Sequence, residues 1–237
     1  MPRPPRLANL AAMGMLLGLL AGAADGCGGG GRGNGEAAEA PGRVWADARA
    51  ATAGAAEVHV QGTVTRSGQA LGLDLDMSSS GRGGGTIKVQ GSRLELVVTA
   101  REVYVNAGEA AWSLVGDGRG MASYAGRWVE APRTGSALAG VAAFASTPDF
   151  VRSLVPAGRL TKEPSLVRWH GQQAIVLLDS HRARIYVAAS GPPHLLHLAG
   201  GTSAAQGVLS FSGYGRARPP TAPATALALP LGSRRPA

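Results

Sequence analysis

The stretch VHVQGTVTRSGQALGLDLDM, residues 58–77, decides how this chain folds. Apolar and polar residues alternate in both of its halves, on either side of a turn at Ser67-Gly68. Because successive side chains of a strand point to opposite faces, this period of two predicts an antiparallel hairpin with one apolar and one solvated face. The apolar face carries Val58, Val60, Val64, Leu71, Leu73, Leu75 and Met77.

The same alternation continues along the chain and predicts a meander of about five short strands, followed by further strands nearer the C-terminus. The first group is completed by TIKVQG (86–91), LELVVTA (94–100) and EVYVNA (102–107). The second group comprises LVRWHG (166–171), QQAIVLLD (172–179), RARIYVAA (182–189), PPHLLHLAG (192–200) and GVLSFSGYG (207–215). So many short strands at nearly regular spacing favour a curved sheet or a barrel.

Two other parts of the sequence have helical character. Residues 44–56 are alanine-rich with apolar residues at helical spacing, which predicts one short helix leading into the domain. Residues 136–146 are alanine-rich and are followed by TPDFVRSLVPAG (147–158), and together they predict one or two helices, with Thr147 or Asp149 available as the N-cap. The chain is therefore expected to be an α+β protein, in which a few helices accompany a large antiparallel sheet.

The N-terminus has the features of an export signal. Arg3 and Arg6 precede an apolar run, residues 7–27, which ends on Cys27, the only cysteine of the chain. The last four residues of the run read ADGC and approximate a lipobox, in which the cysteine is acylated and becomes the new N-terminus; Asp25 departs from that pattern. Two alternatives stay open, which are ordinary cleavage after residues 21–23 and retention as an uncleaved helix.

Composition divides the chain into four parts. Residues 1–27 are the predicted signal with its lipobox-like end, and residues 28–42 are a glycine-rich linker. Residues 43–216 form the predicted folded domain, and residues 217–237 are a Pro/Ala-rich tail that is expected to be irregular from Arg218 onward.

The cysteine count and the distribution of charge disfavour several kinds of site and partner. A single cysteine excludes an intramolecular disulfide and a cysteine-rich zinc site. The formal net charge of +8 comes without clustered cations or interleaved aromatics, so we expect no nucleic-acid partner.

Three groups of residues resemble catalytic or metal sites but favour simpler interpretations. Asp179-Ser180-His181 has the residue types of a hydrolase triad, but neighbours in sequence do not form that geometry, and a hairpin turn is favoured. His194 and His197 are expected on opposite faces rather than around a metal ion. Asp74 and Asp76 share the polar face of one strand, which favours solvated carboxylates. We therefore expect no enzyme, no metal and no cofactor.

The apolar strand faces can serve two purposes. They either fill a core or line a cavity, and composition alone does not distinguish the two. A cavity would bind acyl chains through apolar burial, with about 0.8 kcal/mol for each methylene transferred from water. A filled core would favour a structural or signalling protein that acts through protein partners.

The succession of these segments resembles the LprG/LppX-type actinobacterial lipoproteins, which are related in fold to the lipoprotein carrier LolA. The resemblance extends from residue 44 to residue 223 and includes GRWVEAP (126–132) besides the strand segments quoted above. It implies a strongly curved antiparallel half-barrel that wraps over a few helices and encloses an apolar cavity for acylated envelope lipids or lipoglycans. The family has no catalytic residues to transfer.

The resemblance also implies the site and the partners. Cys27 would be the lipid-attachment residue of a protein anchored to the extracytoplasmic side of the cell membrane, or secreted if Cys27 is not acylated. We expect a monomer that binds and transports an acylated lipid or glycolipid, with a membrane transporter as a further partner. The implied cavity-lining residues are Val58, Val60, Val64, Leu71, Leu73, Leu75, Met77, Ile87, Val89, Leu94, Leu96, Val103, Val105, Ile175, Leu177, Ile185, Val187, Leu209 and Phe211.

Overall fold

A computed structural model describes residues 33–66, 68–115, 122–202, 205–216, 218 and 220–229. The predicted signal, Cys27, most of the predicted linker and the end of the tail lie outside these residues, so their boundaries stay predictions. In the described part of the chain, no helix is both long enough and apolar enough to cross a membrane.

The alternating segments form one sheet of 13 strands, which is strongly curved and not closed. The strands are β1 (Glu57–Arg66), β2 (Gln69–Ser78), β3 (Gly83–Val89), β4 (Ser92–Val98), β5 (Glu102–Ala107), β6 (Trp128–Pro132), β7 (Thr161–Lys162), β8 (Val167–Trp169), β9 (Gln172–Leu178), β10 (Arg184–Ala188), β11 (Leu195–Thr202), β12 (Ala205–Ser212) and β13 (Leu227–Ala228). Along the sheet their order is β13-β6-β5-β4-β3-β2-β1-β12-β11-β10-β9-β7, and β8 also pairs with β9. The five-stranded meander and the later strands are thus confirmed.

The central hairpin has the register that its alternation requires. Val58 lies opposite Met77 and Val60 opposite Leu75, so the apolar residues of β1 and β2 share one face of the sheet. On its other side β1 pairs with β12, which joins the N-terminal meander to the C-terminal strands. This pairing makes β1 a central strand, and both of its neighbours are antiparallel to it.

Two expectations for the sheet need correction. The sheet is mixed, because β13 runs parallel to β6 with Leu227 opposite Val129. The tail is therefore not irregular throughout, since Leu227 and Ala228 form β13. The alternation of small and apolar residues in the sequence around β13 allows this short pairing despite the neighbouring prolines.

Three α-helices accompany the sheet in the described residues: α1 (Pro41–Ala53), α2 (Ala139–Ala142) and α3 (Thr147–Ser153). Short 3₁₀ helices lie at Glu36–Ala38, Glu109–Leu114, Ala122–Tyr124 and Ala143–Ala145. Helix α3 is capped by Ser146, whose Oγ accepts a hydrogen bond from the Asp149 amide at 3.3 Å, and not by Thr147 or Asp149 as expected. Ser146 takes this place because it is the last residue with an extended backbone before the helix.

A glycine allows two strands to approach closely at the centre of the sheet. Gly62 in β1 has a φ of 152°. A Cβ atom at this position would lie 2.0 Å from the carbonyl oxygen of Val208 in the neighbouring strand. The close approach of β1 and β12 therefore requires a residue without a side chain.

Candidate functional site

The residues implied as cavity lining share the inner face of the sheet, against which α1 and α3 pack. All of them except Val64 and Leu71 are buried, and these two pack against the same cluster. Leu75, Met77, Ile87, Leu94 and Leu96 are among the largest fully buried side chains of the described residues. Most of the inner face therefore forms a packed core, and direct contact of these residues with a lipid stays a prediction.

One end of this core opens into an apolar pocket with a volume of about 160 Å³. The strand side of the pocket is formed by β1, β10, β11 and β12, and the other side by α1 and the segment that follows α3. Four of its lining side chains are polar, namely Ser153, Asp179, Arg184 and Gln206. The apolar lining is Trp45, Val64, Leu154, Val155, Pro156, Ile185, Leu198 and Leu209.

The pocket brings together only a few of the residues implied by the sequence. Val64, Ile185 and Leu209 line it, whereas the rest of the implied set lies elsewhere on the inner face or in the packed core. Sequence reasoning missed Trp45 and Leu154, which complete the pocket from the helical side. The available signal was the apolar Leu-Val-Pro run directly after α3, which continues past the helix end without strand alternation.

The segment at the pocket mouth, residues 154–160, is held by the turn between β9 and β10. The Ala157 amide donates to Asp179 Oδ2 at 3.0 Å, and the amides of His181 and Ala183 donate to Asp179 Oδ1 at 2.9 Å each. The Arg159 amide donates to Ser180 Oγ at 3.1 Å. Asp179 and Ser180 are thus occupied in fixing the mouth, and the expected hairpin turn at this place is confirmed.

A larger concavity of about 1050 Å³ lies on the opposite, polar face of the sheet. Most of its side chains are hydroxyls, amides and charged groups, among them Thr63, Lys88 and Gln206. We refer to this concavity as the polar trough, because hydroxyl, amide and charged groups are spread along its lining. The polar trough shares Gly200, Gln206 and Gly207 with the lining of the apolar pocket, so the two concavities meet at the β11–β12 hairpin.

The two carboxylates on the polar face have a histidine partner that the sequence did not reveal. His59 Nδ1 lies 2.8 Å from Asp76 Oδ1, and His59 Nε2 lies 3.7 Å from Asp74 Oδ1. These contacts depend on the β1–β2 register, which places His59 opposite Asp76. Among the residues that the structure describes, no group of three potential ligands is arranged to hold a metal ion.

His194 and His197 occupy separate environments. The His194 ring stacks on Tyr214 with 3.9 Å between the ring centroids, whereas His197 stacks on Trp169 at 4.3 Å. Burial lowers the pKa of His194, and burial together with the nearby His170 lowers the pKa of His197. Both histidines therefore favour the neutral form and contribute to packing.

The fold and the pocket define an α+β domain with a curved open sheet and an apolar pocket at one end of its core. No family model matches the chain, and no curated protein matches it either. Among solved structures, the chain is similar to LprF from Mycobacterium bovis, with 15% identity, 83% of this chain and 100% of that chain covered, and a TM-score of 0.49.

A second similar structure is the lipoprotein LppX from Mycobacterium tuberculosis, with 14% identity, 73% of this chain and 95% of that chain covered, and a TM-score of 0.42. Both matches agree with the resemblance to LprG/LppX-type lipoproteins noted from the sequence. Because both TM-scores lie below 0.5, the function is inferred from the chain's own residues and not from these two structures.

Proposed function

We propose that this chain binds the acyl chains of a lipid in the apolar pocket between the sheet and the helices. The observation that supports this function is an opening into the core that is lined by Trp45, Val64, Leu154, Ile185 and Leu209. Burial of methylenes would supply the affinity, at about 0.8 kcal/mol for each one removed from water. Such binding needs no reacting group, so we propose a carrier or receptor without enzymatic activity.

The size of the pocket limits what it takes up without rearrangement. Ligand pockets usually measure about 300–1,000 Å³, whereas this one measures about 160 Å³. We infer that the end of an acyl chain enters first and that residues 154–160 move outward to admit more of it. This segment contains no helix or strand, and its link to the β9–β10 turn consists of a few hydrogen bonds.

The polar remainder of the lipid would leave the pocket where the pocket meets the polar trough. Gln206 lies at this junction, and its amide can hydrogen-bond to a head group. An acylated lipid or glycolipid fits this combination of an apolar pocket and a polar rim. Transport of that lipid, with a membrane transporter as the acceptor, extends the same proposal.

The N-terminal segment would place this domain at the outer side of a membrane. Acylation of Cys27 would supply two acyl chains, which is what stable anchoring requires. The glycine-rich residues 28–42 would then let the domain stand away from the bilayer. Mass spectrometry of the mature protein tests this part of the proposal, because unmodified Cys27 would contradict it.

Native mass spectrometry of the protein purified from an actinobacterial host tests lipid binding, with extraction of the bound molecule. We expect one acylated lipid per protein. Leu198→Trp should abolish its binding by filling the pocket, since Leu198 lines it and is only half-buried. Val208→Trp is the matched control, because Val208 lies on the neighbouring strand, is 49% exposed and faces away from the pocket.

Either of two results would contradict lipid binding. A folded wild-type protein that stays empty after incubation with envelope lipids would remove the function. An unchanged lipid occupancy in Leu198→Trp would remove the pocket as its site.

A second function is favoured by the packing of the core. Leu75, Met77 and Ile87 are almost completely buried, so most of the inner face is already filled by side chains. A filled core is what a structural or signalling protein that acts through protein partners requires. An empty but folded wild-type protein in the experiment above is the result expected of this second function.

A further inference from the structure

The segment at the pocket mouth presents an apolar tip to solvent. Val155 is 76% exposed, the highest exposure among the large exposed hydrophobic residues of the described chain. It lies between Leu154 and Pro156, and all three residues line the pocket. Exposure of an aliphatic side chain to water at the entrance to an apolar pocket is unfavourable, and its transfer into an apolar phase would lower the free energy.

Arginines surround this tip on three neighbouring segments. Arg152 is in the last turn of α3, Arg159 follows the tip, and Arg182 and Arg184 lie at the start of β10. The side chains of Arg152 and Arg184 are 70% and 58% exposed, and Arg159 and Arg182 are also exposed. Because Arg184 lines the pocket and the Arg159 amide bonds to Ser180, these residues belong to one rim.

Nearby carboxylates neutralise only part of this positive charge. Asp149 forms an ion pair with Arg152 at 2.6 Å, and Glu163 lies 4.0 Å from Arg184. The Asp179 carboxylate is buried and accepts hydrogen bonds from three backbone amides. Arg159 and Arg182 therefore have no carboxylate partner among the residues that the structure describes, and the rim keeps a positive charge around an apolar tip.

We propose that this rim docks on the surface of an anionic lipid bilayer, with Val155 inserted among the acyl chains and the arginines bound to phosphate groups. Apolar insertion combined with basic residues at the same level is how peripheral proteins bind anionic membranes. Val155 is strongly exposed and the cations lie on three segments, which fits an extended charged surface. The inference rests on the proposed function, because docking would place the pocket mouth against the source of its ligand.

A fluorescent label at the tip tests the contact directly in the full chain. Cys27→Ser removes the only native thiol, and Val155→Cys then carries an environment-sensitive nitrobenzoxadiazole label. The probes are vesicles of phosphatidylcholine alone, and vesicles of an equal mixture of phosphatidylcholine and phosphatidylglycerol. With the mixed vesicles we expect a blue shift of the label's emission and quenching by brominated acyl chains.

The matched control is the same label at Leu166→Cys. Leu166 is, like Val155, an exposed aliphatic residue, 42% exposed, but it precedes β8, which pairs with the end of β9 opposite to Asp179. This label should stay in water even when residues 7–27 hold the chain on the vesicle. Arg159→Glu combined with Arg182→Glu should weaken the response at position 155 by about fivefold for each arginine or more.

The results separate docking from lipid binding. An absent response at position 155, an equal response at position 166, or an equal response on phosphatidylcholine alone would each overturn the docking surface. Native mass spectrometry of the unlabelled wild-type protein reports pocket occupancy independently, because Val155 itself lines the pocket. Occupied pockets without a response at position 155 would refute docking alone, whereas empty pockets would refute the proposed function.

Discussion

Asp179→Ala should loosen the pocket mouth more than any other single polar substitution at the rim. The Asp179 carboxylate accepts amide hydrogens from Ala157, His181 and Ala183, and it is only 8% exposed. It thereby joins the segment after α3 to the turn between β9 and β10. Replacing it with alanine removes all three bonds and leaves the backbone amides without this acceptor.

The size of the effect follows from where the three amides lie. A hydrogen bond to a charged group contributes about 1.5–3 kcal/mol, so three such bonds set an upper limit of about 4.5–9 kcal/mol. Only the bond to Ala183 is fully buried, while those to Ala157 and His181 are partly buried, where water replaces the lost acceptor. We therefore expect a loss of about 3–4 kcal/mol in the free energy of unfolding.

Two further variants separate the contributions of the individual hydrogen bonds to this loss of stability. Asp179→Asn keeps an acceptor for His181 and Ala183 but loses the bond from Ala157, and it should cost about 1–2 kcal/mol. Ser180→Ala removes only the exposed bond from the Arg159 amide, and it should cost less than about 1 kcal/mol.

Urea unfolding measures these losses, and hydrogen exchange at the Ala157 amide reports the loosening of the mouth itself. We expect faster exchange at Ala157 in both Asp179 variants. A loss below about 1 kcal/mol for Asp179→Ala, or unchanged exchange at Ala157, would refute the assignment of Asp179 as the residue that holds the mouth.

Three other predictions follow from the fold. Gly62→Ala should destabilise the protein by about 2–6 kcal/mol in urea unfolding, because its Cβ would collide with the Val208 carbonyl, whereas Gly72→Ala has room and should change stability by less than about 1 kcal/mol. Burial lowers the pKa of His194 from 6.5, so its contribution to stability is complete above pH 6.5 and decreases as the pH falls toward the lowered pKa. In unfolding experiments at several pH values, His194→Phe should make the free energy of unfolding depend less on pH over this range. An unchanged pH dependence would contradict this role of His194. Ser146→Ala removes the cap of α3 and should cost about 1 kcal/mol by thermal or urea unfolding, and a neutral effect would refute the capping role.

The sheet could be predicted from the sequence because each strand shows its alternation of apolar and polar residues within a few consecutive positions. The alternation in residues 58–77 determines which side chains face the core, and the neighbouring β1–β2 register follows from it. The strand at Leu227 and Ala228 was missed since two residues are too few to show a period. The cap of α3 was missed by one residue because Ser146 and Thr147 are both capping types, and only the backbone angles distinguish them.

The pocket could be predicted only in part, because its lining comes from distant parts of the chain. Val64, Ile185 and Leu209 were implied by the resemblance, while Trp45 and Leu154 join them through the packing of helices on the sheet. Likewise, the contact of His59 with Asp76 depends on cross-strand pairing. Sequence periodicity gives the face of a residue but not its neighbours across elements, so these contacts required the structure.

The pairing of β1 with β12 has a consequence for how the chain folds. His59 lies opposite Ser212, so the centre of the sheet is completed by segments from the two ends of the domain. Strands β1 to β6 can pair as soon as they are synthesised, but one edge of β1 then stays unpaired until β12 becomes available. Such long-range closure slows folding and exposes a sheet edge that can pair with other chains. We therefore expect the assembly of this domain to be limited by the arrival of its last long strand, and its nascent chain to be most prone to aggregation just before that point.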